Sequence, residues 1–294
     1  MTMNIQRMAA ARGLVVVLCA LLGACATDTG IERVAAAPVM DPAVLQSLPD
    51  ADFATAEFSA KNGIRIPYRW LAPADVEADE QYPLVLVLHS SGPIGDDNRS
   101  QLNGFARTWA APELRARYPA YVLVPQFPTR SANYDDPAKP QMSRAAPALS
   151  AALEMVDAFV AEHGVDRRRI YVTGFSMGGS AAWLAPLLRP DLFAAAMPVS
   201  GIAPDRASAS RLTGLPIWAL HGDADTENPI DSDRAMIAAI RAAGGENARL
   251  REYDGLDHKP AGDVFLGTWW RDWMFDQRRP KAEDKTPESK QDPG

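Results

Sequence analysis

Six residues, Gly174-Phe175-Ser176-Met177-Gly178-Gly179, constrain this chain more than any others. The apolar run at 169–173 before them reads as a strand. The segment 176–188 reads as a helix, kinked or ended near Pro186. Passing directly from strand to helix strains the corner residue and brings two backbones close, so small neighbours are needed. Gly174 and Gly178, two residues either side of Ser176, meet that need. G-x-S-x-G in this setting exposes the Ser176 hydroxyl at a helix N-terminus, whose positive end faces any developing negative charge. Ser176 is therefore the candidate nucleophile. The spacing does not fit the dinucleotide pattern G-x-G-x-x-G.

The rest of the chain repeats this alternation. Strand-like runs at 84–88, 121–124, 195–199, 217–220 and 249–253 are interleaved with helical patterns at 145–162, 231–243 and 262–275. Leu84-Val85-Leu86-Val87-Leu88 is apolar at every position, as expected for a strand buried on both faces. Leu149, Leu153, Val156 and Val160 recur at helical spacing, and Gly164 follows as a stop. Runs at 53–58 and 64–71 flank Asn62-Gly63, a hairpin signal with both central residues expected at positive φ. The predicted class is α/β: a mostly parallel sheet of about eight strands, helices on both faces, and no large cap.

Of the 294 residues, 47% are hydrophobic and 23% charged, which excludes a wholly disordered or fibrous chain. The formal charge of −7 would repel phosphate backbones, which argues against a nucleic-acid partner. Both cysteines, Cys19 and Cys25, lie near the N-terminus, so no disulfide scaffold is possible. Arg7 and Arg12 precede a short apolar run at 14–22, the pattern of an export signal and too short for a membrane span. Leu22-Gly23-Ala24-Cys25 resembles a bacterial lipobox. That resemblance implies a signal peptide at 1–24, a diacylglyceryl group on Cys25 and residence at the cell envelope. Ala26, rather than Asp, after the cysteine implies the outer membrane in a Gram-negative cell. Residues 25–50 then read as a tether, 51–276 as the catalytic domain and 277–294 as a disordered charged tail.

A serine hydroxyl needs a base. His163 sits where a helix ends and reads as structural. His89 and His221 end strands but come too early for the order serine, acid, histidine. His258, after the last strand, is the candidate base. The acid is expected in His221-Gly222-Asp223-Ala224-Asp225-Thr226-Glu227-Asn228, where Asp223 and Asp225 both qualify by position. A calcium loop fails here, because Asn228 and Arg234 stand where an EF-hand needs Gly and Glu.

These segments, with His89-Ser90-Ser91-Gly92-Pro93 after the first long strand, resemble the α/β-hydrolase superfamily. The likeness is to its polyhydroxybutyrate-depolymerase, feruloyl-esterase and predicted-peptidase branch, near the dienelactone-hydrolase and phospholipase/carboxylesterase groups. It covers roughly residues 60–275. By position it assigns the triad acid to Asp225 and the oxyanion donors to the amides of Ser91 and Met177. Ser90 stands where the family has glycine, which puts the conformation of that loop in question. The resemblance implies a serine esterase without cofactor or metal, acting on a small-molecule or polymeric ester. A peptidase of the same fold, or an envelope lipoprotein with a vestigial triad, are the alternatives. Residues 125–145 are expected to wall the pocket, and Trp109 and Trp183 to line it. Trp269, Trp270 and Trp273 are expected to pack the last helix.

Overall fold

The computed structural model describes residues 29–134 and 141–281. Its elements in chain order are β1 (Ile31–Val34), α1 (Pro42–Ser47), β2 (Ala54–Ser59), β3 (Arg65–Leu71), β4 (Tyr82–Leu88), α2 (Gly104–Arg107), α3 (Pro112–Arg117) and β5 (Tyr121–Pro125). Next come β6 (Ala132–Tyr134), β7 (Ser143–Ala145), α4 (Pro147–Glu162), β8 (Val165–Phe175), α5 (Met177–Leu188) and β9 (Ala195–Val199). The last are β10 (Ile217–Gly222), α6 (Asp231–Ala242), β11 (Ala248–Tyr253), α7 (Gly262–Leu266) and α8 (Trp269–Phe275).

One nine-stranded sheet runs in the order β1-β11-β10-β9-β8-β4-β5-β3-β2, and β6 and β7 form a separate ribbon. From β1 to β5 in that order every pairing is parallel. β3 runs antiparallel to both of its neighbours. The unbroken apolar run of β4 follows from this position. Leu84, Leu86 and Leu88 enter a core with α4, α5 and α6, while Val85 and Val87 enter a second core with α2, α3, α7 and α8. Each strand residue must be apolar because each face carries a helical layer. Among the described residues no separate domain caps the sheet, and no helix is long and apolar enough to cross a membrane.

Several expectations shift. The tether boundary at residue 50 does not hold for the described part, because β1 pairs with β11 from Ile31↔Leu250 to Val34↔Tyr253. Its sequence, Ile-Glu-Arg-Val, hides the strand by placing two charges in the middle. Those charges are partnered across the edge, Glu32 by Arg251 and Arg33 by Glu252. Gln277–Lys281, expected to open a disordered tail, is partly docked: Arg279 N–H donates to the Arg168 carbonyl at 2.9 Å. The remainder of that tail, the signal segment and Cys25 lie outside the described residues.

The hairpin forms, but only Gly63 takes positive φ, at 81°. The turn closes from Gly63 N–H to the Ala60 carbonyl, and Asn62 instead accepts from Ile64 N–H with its side chain. The last helix is split. Gly267 is extended, and a Cβ there would lie 1.9 Å from the Asp263 carbonyl oxygen. Arg271 joins the halves: its guanidinium donates to the carbonyls of Gly267 and Phe265 and to Thr108 Oγ1. It lies between the rings of Trp109 and Trp270, at 4.7 and 4.2 Å from their centroids. Trp109 is therefore core rather than pocket lining.

Candidate active site

Ser176 alone makes the corner between β8 and α5, at φ 59° and ψ −118°. Such a conformation costs a non-glycine residue about 1–3 kcal/mol and persists only when the surroundings impose it. Here Ser176 N–H donates to the Val199 carbonyl at 2.9 Å, and its carbonyl accepts from Ser180 N–H at 2.9 Å. The glycines supply the clearance. A Cβ on Gly174 would lie 2.6 Å from the Leu88 and Gly178 oxygens, and one on Gly178 only 2.1 Å from the Leu88 oxygen. The Ser176 hydroxyl makes no cap to its own helix. It meets His258 Nε2 at 2.8 Å instead.

His258 Nδ1 lies 2.7 Å from Asp225 Oδ2. A carboxylate there requires N–H on Nδ1, which leaves Nε2 free to accept the serine proton. Asp225 follows β10 and is buried. Its Oδ1 accepts from the backbone N–H groups of Glu227 and Asn228 at 3.0 and 2.8 Å. Burial pushes the Asp225 carboxyl up, but hydrogen bonds from His221, His258 and Asn228 outweigh it and hold the group well below the usual carboxylate range. Asp223 is exposed and accepts from Gly255 N–H, away from His258. The geometry therefore separates the two acids that both qualified by position. Asp225→Asn should reduce kcat/KM by about 10³- to 10⁴-fold, and Asp223→Asn should change it little. Equal losses in steady-state ester hydrolysis would contradict this.

The other histidines are occupied elsewhere. His163 stacks on Phe159, with ring centroids 3.8 Å apart. Phe127 N–H donates to His89 Nε2 at 2.9 Å, so His89 Nδ1 carries the proton and donates to the Ser90 carbonyl at 2.6 Å. Burial lowers His89 to about 4, against the opposing effect of that carbonyl. This neutral ring ties down the loop that leaves β4. Among the described non-glycine residues only Asn98, Ser176 and Ser200 have positive φ, so Ser90 needs no glycine-like conformation. Ser91 is exposed on this loop, and Met177 is the first residue of α5.

A groove of about 770 Å³ adjoins the triad, lined by Met142, Pro204, Arg206, Glu227, Pro229 and Asp231 among others. Glu227 connects the two, with Oε2 3.8 Å from His258 Nε2. Of the expected pocket wall, Gln141 and Met142 reach this groove, while Asp135 and Asp136 lie outside the described residues. Trp183 does not line it; it is buried and donates to Asp233. Glu227, Asn228 and His221 went unassigned in the sequence. The available signal was the position of His221 four residues before Asp225, which the order serine, acid, histidine had set aside.

Comparison with known proteins finds relatives among esterases. The phospholipase/carboxylesterase family profile matches residues 131–265. A "Probable carboxylesterase" of Oryza sativa subsp. japonica is 29% identical over 220 residues, covering 67% of this chain and 88% of that protein. The poly(3-hydroxybutyrate) depolymerase of Ralstonia pickettii is 29% identical over 136 residues, covering 43% of this chain but only 27% of the depolymerase. The crystal structure of a thermostable esterase superimposes with a TM-score of 0.71 at 32% identity, covering 78% of this chain and 64% of the esterase. A mostly parallel sheet with a strained serine between strand and helix, and relatives of this kind, lead to one assignment: the chain belongs to the α/β-hydrolase superfamily.

Proposed function

We propose that this protein is a serine esterase that cleaves carboxylic esters through an acyl-enzyme. The observation that carries the reading is the unbroken line from Ser176 Oγ through His258 to Asp225, at 2.8 and 2.7 Å. His258 Nε2 takes the serine proton as Oγ bonds to the ester carbonyl carbon. The amides of Ser91 and Met177 hold the resulting oxyanion. His258 then returns the proton to the departing alkoxide, leaving the acyl group on Ser176. Water, activated by the same imidazole, releases the acid. Esterase names among the relatives support this chemistry.

The substrates are small esters with short acyl or aryl groups. The groove beside Glu227 is partly open, and no cap domain encloses it among the described residues. An ester expels an oxyanion, a better leaving group than an amine, so it asks less of His258 as an acid. The test compares kcat/KM for acetyl, butyryl and feruloyl-type esters with that for chromogenic peptide amides. We expect esters to be favoured by at least ~10²-fold, about 2.7 kcal/mol in the barrier. Amides cleaved as well as the best ester would replace the assignment with peptidase.

The chain is further proposed to be an exported lipoprotein acylated at Cys25, because Leu22-Gly23-Ala24-Cys25 follows a basic and then an apolar segment. Expressed in a bacterium, the wild type should take up labelled fatty acid and Cys25→Ser should not. Labelling that survives the substitution would exclude Cys25 as the acceptor.

A further inference from the structure

Behind the proposed triad lies a second set of ionisable groups that the mechanism does not use. His221, at the end of β10, is fully buried. Its Nδ1 is 2.9 Å from Asp233 Oδ2, and its Nε2 is 2.8 Å from the Asn228 carbonyl and 3.3 Å from Asp225 Oδ2. Asp233, at the start of α6, is also fully buried, and its other oxygen accepts from Trp183 Nε1 of α5 at 3.0 Å. Asp225 Oδ2 is thus shared between two imidazoles, His258 in front and His221 behind.

The atoms around the ring fix one of its protons. Nε2 faces two acceptors, so it carries N–H. Nδ1 faces a carboxylate whose other oxygen already accepts from an indole. Were His221 neutral, either two carboxylates would be buried side by side with no cation between them, at high cost at low dielectric, or Asp233, whose carboxyl burial raises, would hold the proton in place of the ring. Charges from the remaining side are already matched: Glu252, which pairs with His221 across β10 and β11, is engaged by Arg234 and Arg33. Beyond Asp225 lie His258, past it the exposed Glu227, and the exposed ion pair of Asp257 with Lys259.

We propose that His221 is a positioning residue: a buried imidazolium, retained by Asp233, that fixes Asp225 Oδ2 and offsets part of the charge that faces His258. Burial works against a charge on His221, but hydrogen bonds and attraction from Asp225 and Asp233 outweigh it and raise the group to about 9. With His221 charged, Asp233 is balanced and one negative charge remains to face His258. Without it, Asp225 would attract a proton onto His258 more strongly, and the base would be blocked up to a higher pH.

This inference rests on the triad reading, and it is tested separately from it. Ring ¹⁵N shifts, read in Ser176→Ala without turnover, should show both His221 nitrogens protonated at pH 7. A neutral tautomer there would overturn the proposal. In the active enzyme, His221→Gln should move the acid limb of the kcat/KM profile upward by about one pH unit, with KM little changed. Asp233→Asn keeps the shape around Trp183 but removes the counter-ion, so His221 should lose its charge, as its ring ¹⁵N shifts would read, and the limb should then move in the same direction. It decides the matter if His221→Gln does not fold. An acid limb that stays in place in the folded variants, with losses only in kcat and stability, would reduce His221 to a packing role and sink the idea. Retained turnover in Ser176→Ala would instead remove the triad while leaving the ring shifts to be judged by themselves.

Discussion

Ser176→Ala is expected to lower kcat/KM by at least ~10³-fold, because triad members act as a unit and the residual rate comes only from binding and oxyanion contacts. Stability should not suffer. Alanine bears the same strain as serine at φ 59°, and the hydroxyl makes no bond to its own helix. The lost contact is the one to His258. Paired measurements of ester turnover and thermal unfolding test this. A variant that turns over ester near the wild-type rate would end the acyl-enzyme mechanism. One that loses activity by unfolding would show instead that the Ser176–His258 bond holds the corner together.

Gly178→Ala is expected to have the largest effect on folding. The added methyl carbon would lie 2.1 Å from the Leu88 carbonyl oxygen and within 2.8 Å of the His89 oxygen. Both are backbone atoms at the end of the central strand β4, so no rotamer change relieves the clash. Either α5 moves away from the sheet, opening the core around Ala181 and Ala182, or β4 loses its place. We expect a loss of roughly 3 kcal/mol or more, at the upper end for overpacking and well above an ordinary surface change. For a domain of this size that is a fall in Tm of about 10 °C. Activity should fall as well, since Ser176 and the first amides of α5 move with the helix. Calorimetry and denaturant titration provide the check, and an unchanged midpoint would mean that the close approach is not needed.

Much of this was legible because local chemistry and global position coincide. Leu84–Leu88 must be apolar at every residue only if both faces of β4 are covered, and they are. Gly174 and Gly178 are needed wherever a strand and helix touch at their backbones. His258 was reachable by order along the chain. What escaped notice depends on contacts distant in sequence. β1 is recognisable only through a partner strand more than 200 residues away. The break at Gly267 is stabilised by Arg271 reaching Thr108 from across the second core. Asp223 and Asp225 both qualified by position and a resemblance had to choose Asp225; it is the path of the loop that brings that one to His258. His221 looked idle because strand order says nothing about a ring that approaches Asp225 from behind.

β1 also governs how one molecule meets another. The outer side of β11 is a row of amides and carbonyls, and a strand edge of that kind is a template for pairing with a second chain. Ile31–Val34 occupies it and replaces it with an edge only four residues long, carrying Glu32 and Arg33. A molecule begun at residue 51 would leave the backbone edge of Ala248–Tyr253 uncovered, six residues long against the four of β1. The short N-terminal strand thus keeps the sheet from growing, and a soluble form of the domain has to retain it.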